Sequence, residues 1–194
     1  MKFILGRKLG MSTIYDEKRG ALNVTLVECL PNTITQIRNA DRDKYEAVQI
    51  GLKKLKVKNE KLKVKDYFKI KEFGAGIGEL KVGDEMKIDQ FEVGDKVKVS
   101  GITKAKGFQG VVKRHGFKGS PKTHGHKHDL RAPGSIGATF PEHVIKGKKM
   151  AGRMGGVRSS VRNLQIVEID KKNNILILRG AVPGVKGRIV EISC

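Results

Sequence analysis

The stretch SGITKAKGFQGVVKRHG, residues 100–116, is where a strand-like chain turns into something else. Before it, Val97 and Val99 alternate with Lys96, Lys98 and Ser100, the two-residue period of a strand with one buried face. From Gly101 onward glycine and lysine replace that alternation. Residues 101–160 hold thirteen Lys and Arg against two acids, Asp129 and Glu142, with half of the 24 glycines and all five histidines. Such a segment has too few large apolar side chains for a core of its own, and each glycine adds backbone entropy that folding must overcome. Its charges repel one another unless something negative lies against them. It reads as an arm ordered by a polyanion, and the polyanion that suits lysines beside glycines is a nucleic acid. Glycine lets the backbone approach a phosphate chain, and Lys104 and Lys106 neutralise it.

Outward from the arm the chain is ordinary. Residues 1–100 carry 21 basic and 15 acidic residues, and residues 161–194 carry six and three, so the excess of charge is internal. Short apolar runs flank the arm on both sides. Leu22, Val24 and Leu26 share one face, as do Val48, Ile50 and Leu52. After the arm come runs at 164–169, 175–178 and 189–192. Asp170-Lys171-Lys172-Asn173-Asn174 joins the first two as a hairpin turn does, and Gly180-Ala181-Val182-Pro183-Gly184 punctuates the next interval. Short strands on both sides of an irregular insertion predict a mainly β fold, a small β-barrel whose chain is interrupted. Helix is expected only as a short piece at 65–73 and a turn within 107–115. A lysine-rich repeat, residues 54–60 and again 61–67, suits a solvated surface excursion near 53–73 better than a dedicated binding site.

Several chemistries are excluded or weakened. No Gly-x-x-x-x-Gly-Lys-Ser/Thr string occurs, which removes the simplest nucleotide hydrolase. Gly74-Ala75-Gly76-Ile77-Gly78 lacks the sixth-position glycine and the βαβ setting of a dinucleotide loop, and reads as a loop. His124, His126 and His128 alternate, so an extended chain would turn three imidazoles to one side, an arrangement compatible with zinc. Neighbouring Lys122 and Lys127, and the lack of a second ligand cluster, favour contacts with phosphates or bases instead. Phe108 suits either stacking on a base or anchoring the arm by packing, and packing is the favoured reading. Cys29 and Cys194 form no motif and read as incidental thiols of a reducing compartment. The apolar run Phe3-Ile4-Leu5 is too short for a signal sequence, and no stretch approaches the length of a membrane span.

These strings, in this order, resemble the bacterial form of the ribosomal protein L-three family. The likeness runs from Gly6-Arg7-Lys8-Leu9-Gly10-Met11-Ser12 through Val27-Glu28, residues 33–37 and 101–114, and His124-Gly125. It continues through Arg131-Ala132-Pro133-Gly134-Ser135-Ile136-Gly137 and residues 146–155. It ends with Val161-Arg162-Asn163-Leu164, residues 174–178 and Gly180-Ala181-Val182-Pro183-Gly184. The resemblance implies a small closed β-barrel of translation-protein type with a long, largely irregular basic extension inserted in it. The barrel would comprise residues 1–111 and 159–194, and the rRNA-binding arm residues 112–158, with its tip near 137–146. Two departures stand out. The tip, Ala138-Thr139-Phe140-Pro141-Glu142-His143-Val144-Ile145, has no glutamine of the kind that many bacterial members methylate. The 54–67 repeat matches no family motif.

The resemblance further implies a structural constituent of the cytoplasmic large ribosomal subunit, without catalytic activity. Such a protein binds large-subunit (23S-type) rRNA near its 3′ end, reaches toward the peptidyl transferase centre and supports early assembly. The expected rRNA contacts are Lys8, Lys104, Lys106, Lys113, Arg114, His115, Lys118, Lys122, His124, His126, Lys127 and His128, then Arg131, Lys146, Lys148, Lys149, Arg153 and Arg158. Gly107, Gly110, Gly134, Gly137, Gly147, Gly152, Gly155 and Gly156 are expected where RNA comes too close for a Cβ. Partners are rRNA and neighbouring large-subunit proteins, with no membrane, metal, cofactor or small-molecule substrate. The alternative is a free RNA-binding translation factor or RNA chaperone.

Overall fold

The computed structural model describes residues 2–17, 20–53, 67–74 and 80–194. Most of the 54–67 repeat and of the 74–78 loop therefore lies outside the described residues. The chain divides into two compact units, one formed by Met1–Thr103 with Arg158–Cys194 and the other by Lys104–Val157. The second unit thus begins at Lys104, ahead of the residue 112 expected from sequence.

In chain order the strands of the first unit are β1 (Phe3–Asp16), β2 (Gly20–Glu28), β3 (Asn32–Arg38), β4 (Ala47–Lys53), β5 (Tyr67–Phe73), β6 (Glu85–Met86) and β7 (Lys96–Ile102). In the second unit β8 (Phe108–Gln109) pairs with β9 (Gly152–Arg153), and the first unit resumes with β10 (Arg158–Asp170), β11 (Ile175–Arg179) and β12 (Ile189–Ser193). Helix is confined, among the described residues, to α1 (Ala40–Asp43), α2 (Val111–His115) and a 3-10 turn at Ile88–Gln90. The fold is mainly β with little helix, as the sequence predicted. Among the described residues no helix is long and apolar enough to cross a membrane.

Six strands hydrogen-bond in a closed ring, β1-β12-β7-β10-β11-β2, antiparallel at every step. The ring is filled by the runs that alternate in sequence: Val97 and Val99 of β7, Leu164 and Ile166 of β10, Leu176 and Leu178 of β11, Val190 and Ile192 of β12. The hairpin between β10 and β11 forms where expected. The Asp170 carboxylate accepts from the Lys172 and Asn173 amides and from the Asn173 side chain, and Asn174 takes a positive φ of 54°.

A second sheet, in the order β5-β4-β3-β6, packs against β1. Here the sequence reading was incomplete. Phe3-Ile4-Leu5 is buried on both faces: Ile4 points into the ring, while Phe3 and Leu5 pack with Ile34, Val48, Ile50 and Leu52 of the second sheet. A strand covered on both sides shows an unbroken apolar run instead of alternation. The helix expected at 65–73 is the strand β5, paired with β4 and held by Phe73 stacked on Phe3 at 4.9 Å. Ladder partners and an apolar face on β1 outweigh local propensity there.

Candidate nucleic-acid interface

The second unit is closed at its base by short-range bonds between its two legs. The Lys106 amide donates to Met154 O and the Met154 amide to Gly107 O, both at 2.9 Å, and the two-residue strands β8 and β9 pair just beyond. The helix α2 follows, with Gly116 in the left-handed conformation as its C-cap and its amide bonded to Val112 O. Glycine suits that position because it has no Cβ to clash. From α2 the Arg114 guanidinium donates to Met150 O at 2.7 Å, and His115 Nε2 lies 3.0 Å from the same carbonyl. Arg114 and His115, expected as RNA contacts, therefore also brace the legs. Between α2 and β9 there is no helix or strand.

The cations of this unit face solvent. Lys104, Lys106, Lys113, Lys118, Lys122, Lys127, Arg131, Lys146, Lys148, Lys149 and Arg153 are all exposed, and Arg114 is half-buried. None of these twelve forms an ion pair among the described residues; the unit's one recorded ion contact joins His126 Nδ1 to Asp129 at 3.7 Å. His124 and His128 are exposed, and among the described residues no three His, Cys, Asp or Glu gather as a metal site would need. Phe108, expected to pack, stands 77% exposed. The correction has a simple cause: β8 is a two-residue ribbon with no apolar layer beneath it.

Two expected contacts belong to the first unit. Lys8 is buried, with its ammonium donating to Val182 O at 2.7 Å and Gly184 O at 3.2 Å. The residue expected at the RNA thus faces two carbonyls of the protein, the partners that a buried charge requires. Arg158 opens β10 and pairs with Glu191.

The eight glycines separate into groups. A Cβ at Gly155 would strike Lys104 O, one at Gly152 would lie 2.6 Å from the Arg114 guanidinium, and one at Gly156 3.0 Å from that of Arg153. These three are crowded by the chain itself. Gly107, Gly134 and Gly147 have open space around them but positive φ, which glycine adopts without cost. Gly110 and Gly137 have neither constraint. Cations of the first unit that the sequence reading left aside, Lys69, Lys186 and Arg188, are exposed as well. Only their tertiary setting beside Phe68 draws notice to them.

Comparison with known proteins gives a consistent result. The family model described as Ribosomal protein L3 matches residues 79–174. The chain is 45% identical to the Large ribosomal subunit protein uL3 of Roseiflexus sp., over 97% of this chain and 95% of that protein. It is 42% identical to the protein of the same name from Chloroherpeton thalassium, over 99% and 98% of the two chains. The identity is again 42% with that of Geobacillus thermodenitrificans, over 98% and 95%.

Proposed function

Because this chain belongs to the Ribosomal protein L3 family, we propose that it is a structural, non-enzymatic constituent of the large ribosomal subunit that binds large-subunit ribosomal RNA. The observation that carries the reading is the second unit, where twelve Lys and Arg face two acids and form no ion pair among the described residues. So many like charges without internal partners are what a polyanion would neutralise.

In this reading the six-stranded ring is a small closed barrel of translation-protein type that serves as a rigid base. The unit 104–157 is the extension that runs along rRNA, its tip near 137–146 directed toward the peptidyl transferase centre. Its exposed lysines and arginines make mostly phosphate contacts, Phe108 offers a ring to an unpaired base, and His124, His126 and His128 add donors. Gly110 and Gly137 are the glycines at which close RNA approach is the remaining reason for lacking a Cβ. Lys8 takes no part. The site of action is the cytoplasmic ribosome, among neighbouring large-subunit proteins.

The deciding experiment is binding of the purified chain to deproteinised large-subunit rRNA across a salt series. About eight phosphate contacts would give a log–log slope of roughly 6–7 in magnitude. A slope near zero overturns the reading. A free translation factor or RNA chaperone, the rival, would wash off isolated large subunits at moderate salt; a constituent stays.

A further inference from the structure

A second basic surface lies on the first unit; of the RNA contacts expected from sequence it includes Arg158 alone. Along β5 the register passes from Tyr67 opposite Lys53 to Lys69 opposite Leu52, so Phe68 is the extra residue of a β-bulge. A bulge breaks the alternation of a strand and re-aims one side chain. Phe68 is accordingly left 64% exposed. It stands on a rim shared by two hollows. The smaller, about 250 Å³, has Leu30, Leu52 and Ile189 in its walls; the larger, about 550 Å³, has five Lys and Arg in its walls.

Together the two hollows present seven Lys and Arg against two carboxylates, Glu28 and Glu191. Glu191 is already matched, since it pairs with both Lys71 and Arg158. Lys69, Lys186 and Arg188 are exposed and pair with no acid among the described residues. The Arg7 guanidinium lies over Gly187, where a Cβ would come within 3.7 Å of it. An apolar slot with an aromatic lip, opening into a trough where three of five cations lack an acidic partner among the described residues, has the two parts that a single nucleic-acid strand requires: a face for the base and counter-charge for the backbone. A protein partner would have to bring three carboxylates to the unpaired Lys69, Lys186 and Arg188 of the same trough.

We infer that these joined hollows hold an unpaired nucleotide of RNA, its base stacked on Phe68 and its flanking phosphates against Lys69, Lys186 and Arg188. The inference rests on the reading that this chain binds ribosomal RNA. A base inside a duplex has no free face, so the strand is a loop, bulge or end.

The test uses the full chain, with deproteinised large-subunit rRNA as the probe in a salt series. Phe68→Leu keeps apolar bulk and removes the ring, and Phe68→Tyr keeps the ring. Phe68→Leu is expected to lose about tenfold in affinity with an unchanged salt slope, while Phe68→Tyr binds as the parent does. Lys186→Gln with Arg188→Gln should lower the slope by roughly 1.4–1.8. Thermal unfolding should be the same in all, because these side chains are exposed. Leucine binding as tightly as phenylalanine overturns the inference, as does equal loss in the Leu and Tyr variants. An acidic protein partner for the hollows would appear as the first of these. Failure of the parent chain to bind the RNA at all would instead sink the functional reading on which this rests.

Discussion

Lys8 and Cys29 show how burial redirects a reactive side chain. Lys8 Nζ is enclosed with two carbonyl partners on the loop that ends at Gly184. Lys8→Met keeps the stem and removes the donors, so Val182 O and Gly184 O lose their partner. The expected cost is about 1–3 kcal/mol, read from urea midpoints, with unchanged RNA affinity in the folded variant; a drop in affinity alone would return Lys8 to the interface. Burial pushes the Cys29 thiol well above its ordinary range, whereas Cys194 is exposed. Alkylation of the native protein should therefore modify Cys194 alone, with Cys29 reacting only on unfolding, as mass spectrometry of time points would reveal. Asp95 is held below the ordinary aspartate range, first by the Lys2 ammonium at 2.9 Å and then by the Glu92 amide. A folded value below the unfolded one means the contribution is complete above the unfolded value and lost as pH falls through the folded one. Asp95→Asn should flatten part of the acid limb of Tm against pH, and an unaltered limb would remove Asp95 from that account. Nothing in the local sequence marks the ammonium partner of Asp95 or the carbonyl partners of Lys8, because they are remote in the chain.

At the scale of elements, the base of the arm was partly legible. A helical turn within 107–115 was expected, and α2 occupies Val111–His115. The alternating runs at 97–99, 164–169, 175–178 and 189–192 became strands because one face of each fills the ring. The strands β1, β3 and β5 escaped notice. β1 is divided between two cores, β5 lies on an edge, and a register shift between Ile34 and Gln36 breaks the alternation of β3, so no clean period survives. The glycines carry a prediction here. Gly155 has φ of 73° and its Cβ direction is blocked by Lys104 O. Gly155→Ala should cost on the order of 1–3 kcal/mol in the arm's local stability, visible as faster hydrogen exchange at the Met154 and Lys106 amides. Gly110→Ala and Gly137→Ala meet no atom within 4 Å and should leave exchange unchanged while weakening RNA binding. Full RNA affinity in both would remove close approach as the reason for those glycines.

Across the whole molecule, the arm is an insertion at one end of a strand pair. Ile102 and Arg158 are direct partners in the β7–β10 ladder, so the chain leaves and re-enters the sheet at adjacent points. Residues paired in this way lie about 5 Å apart, a gap that a short loop spans. Replacing residues 104–157 by a Gly-Ser turn should leave a cooperatively unfolding protein, monitored by circular dichroism. It removes twelve cations and two acids, ten of the twenty net positive charges, so the salt slope for RNA binding should fall by the arm's whole share. Loss of cooperative unfolding would mean that the core depends on the arm.

Composition and order alone determined that the chain is mainly β, that its charge is concentrated in one glycine-rich segment, and which family it resembles. Those features are local: alternation follows from the two-residue strand period, and charge is additive along a chain. Only the tertiary structure decided that Lys8 faces inward, that Phe108 and Phe68 face outward, and that Arg114 and His115 brace the legs they decorate. Lys8, Arg114 and His115 meet carbonyls far away in the chain, and the two phenylalanines turn outward because of how their strands pair with distant ones; such contacts have no local signature.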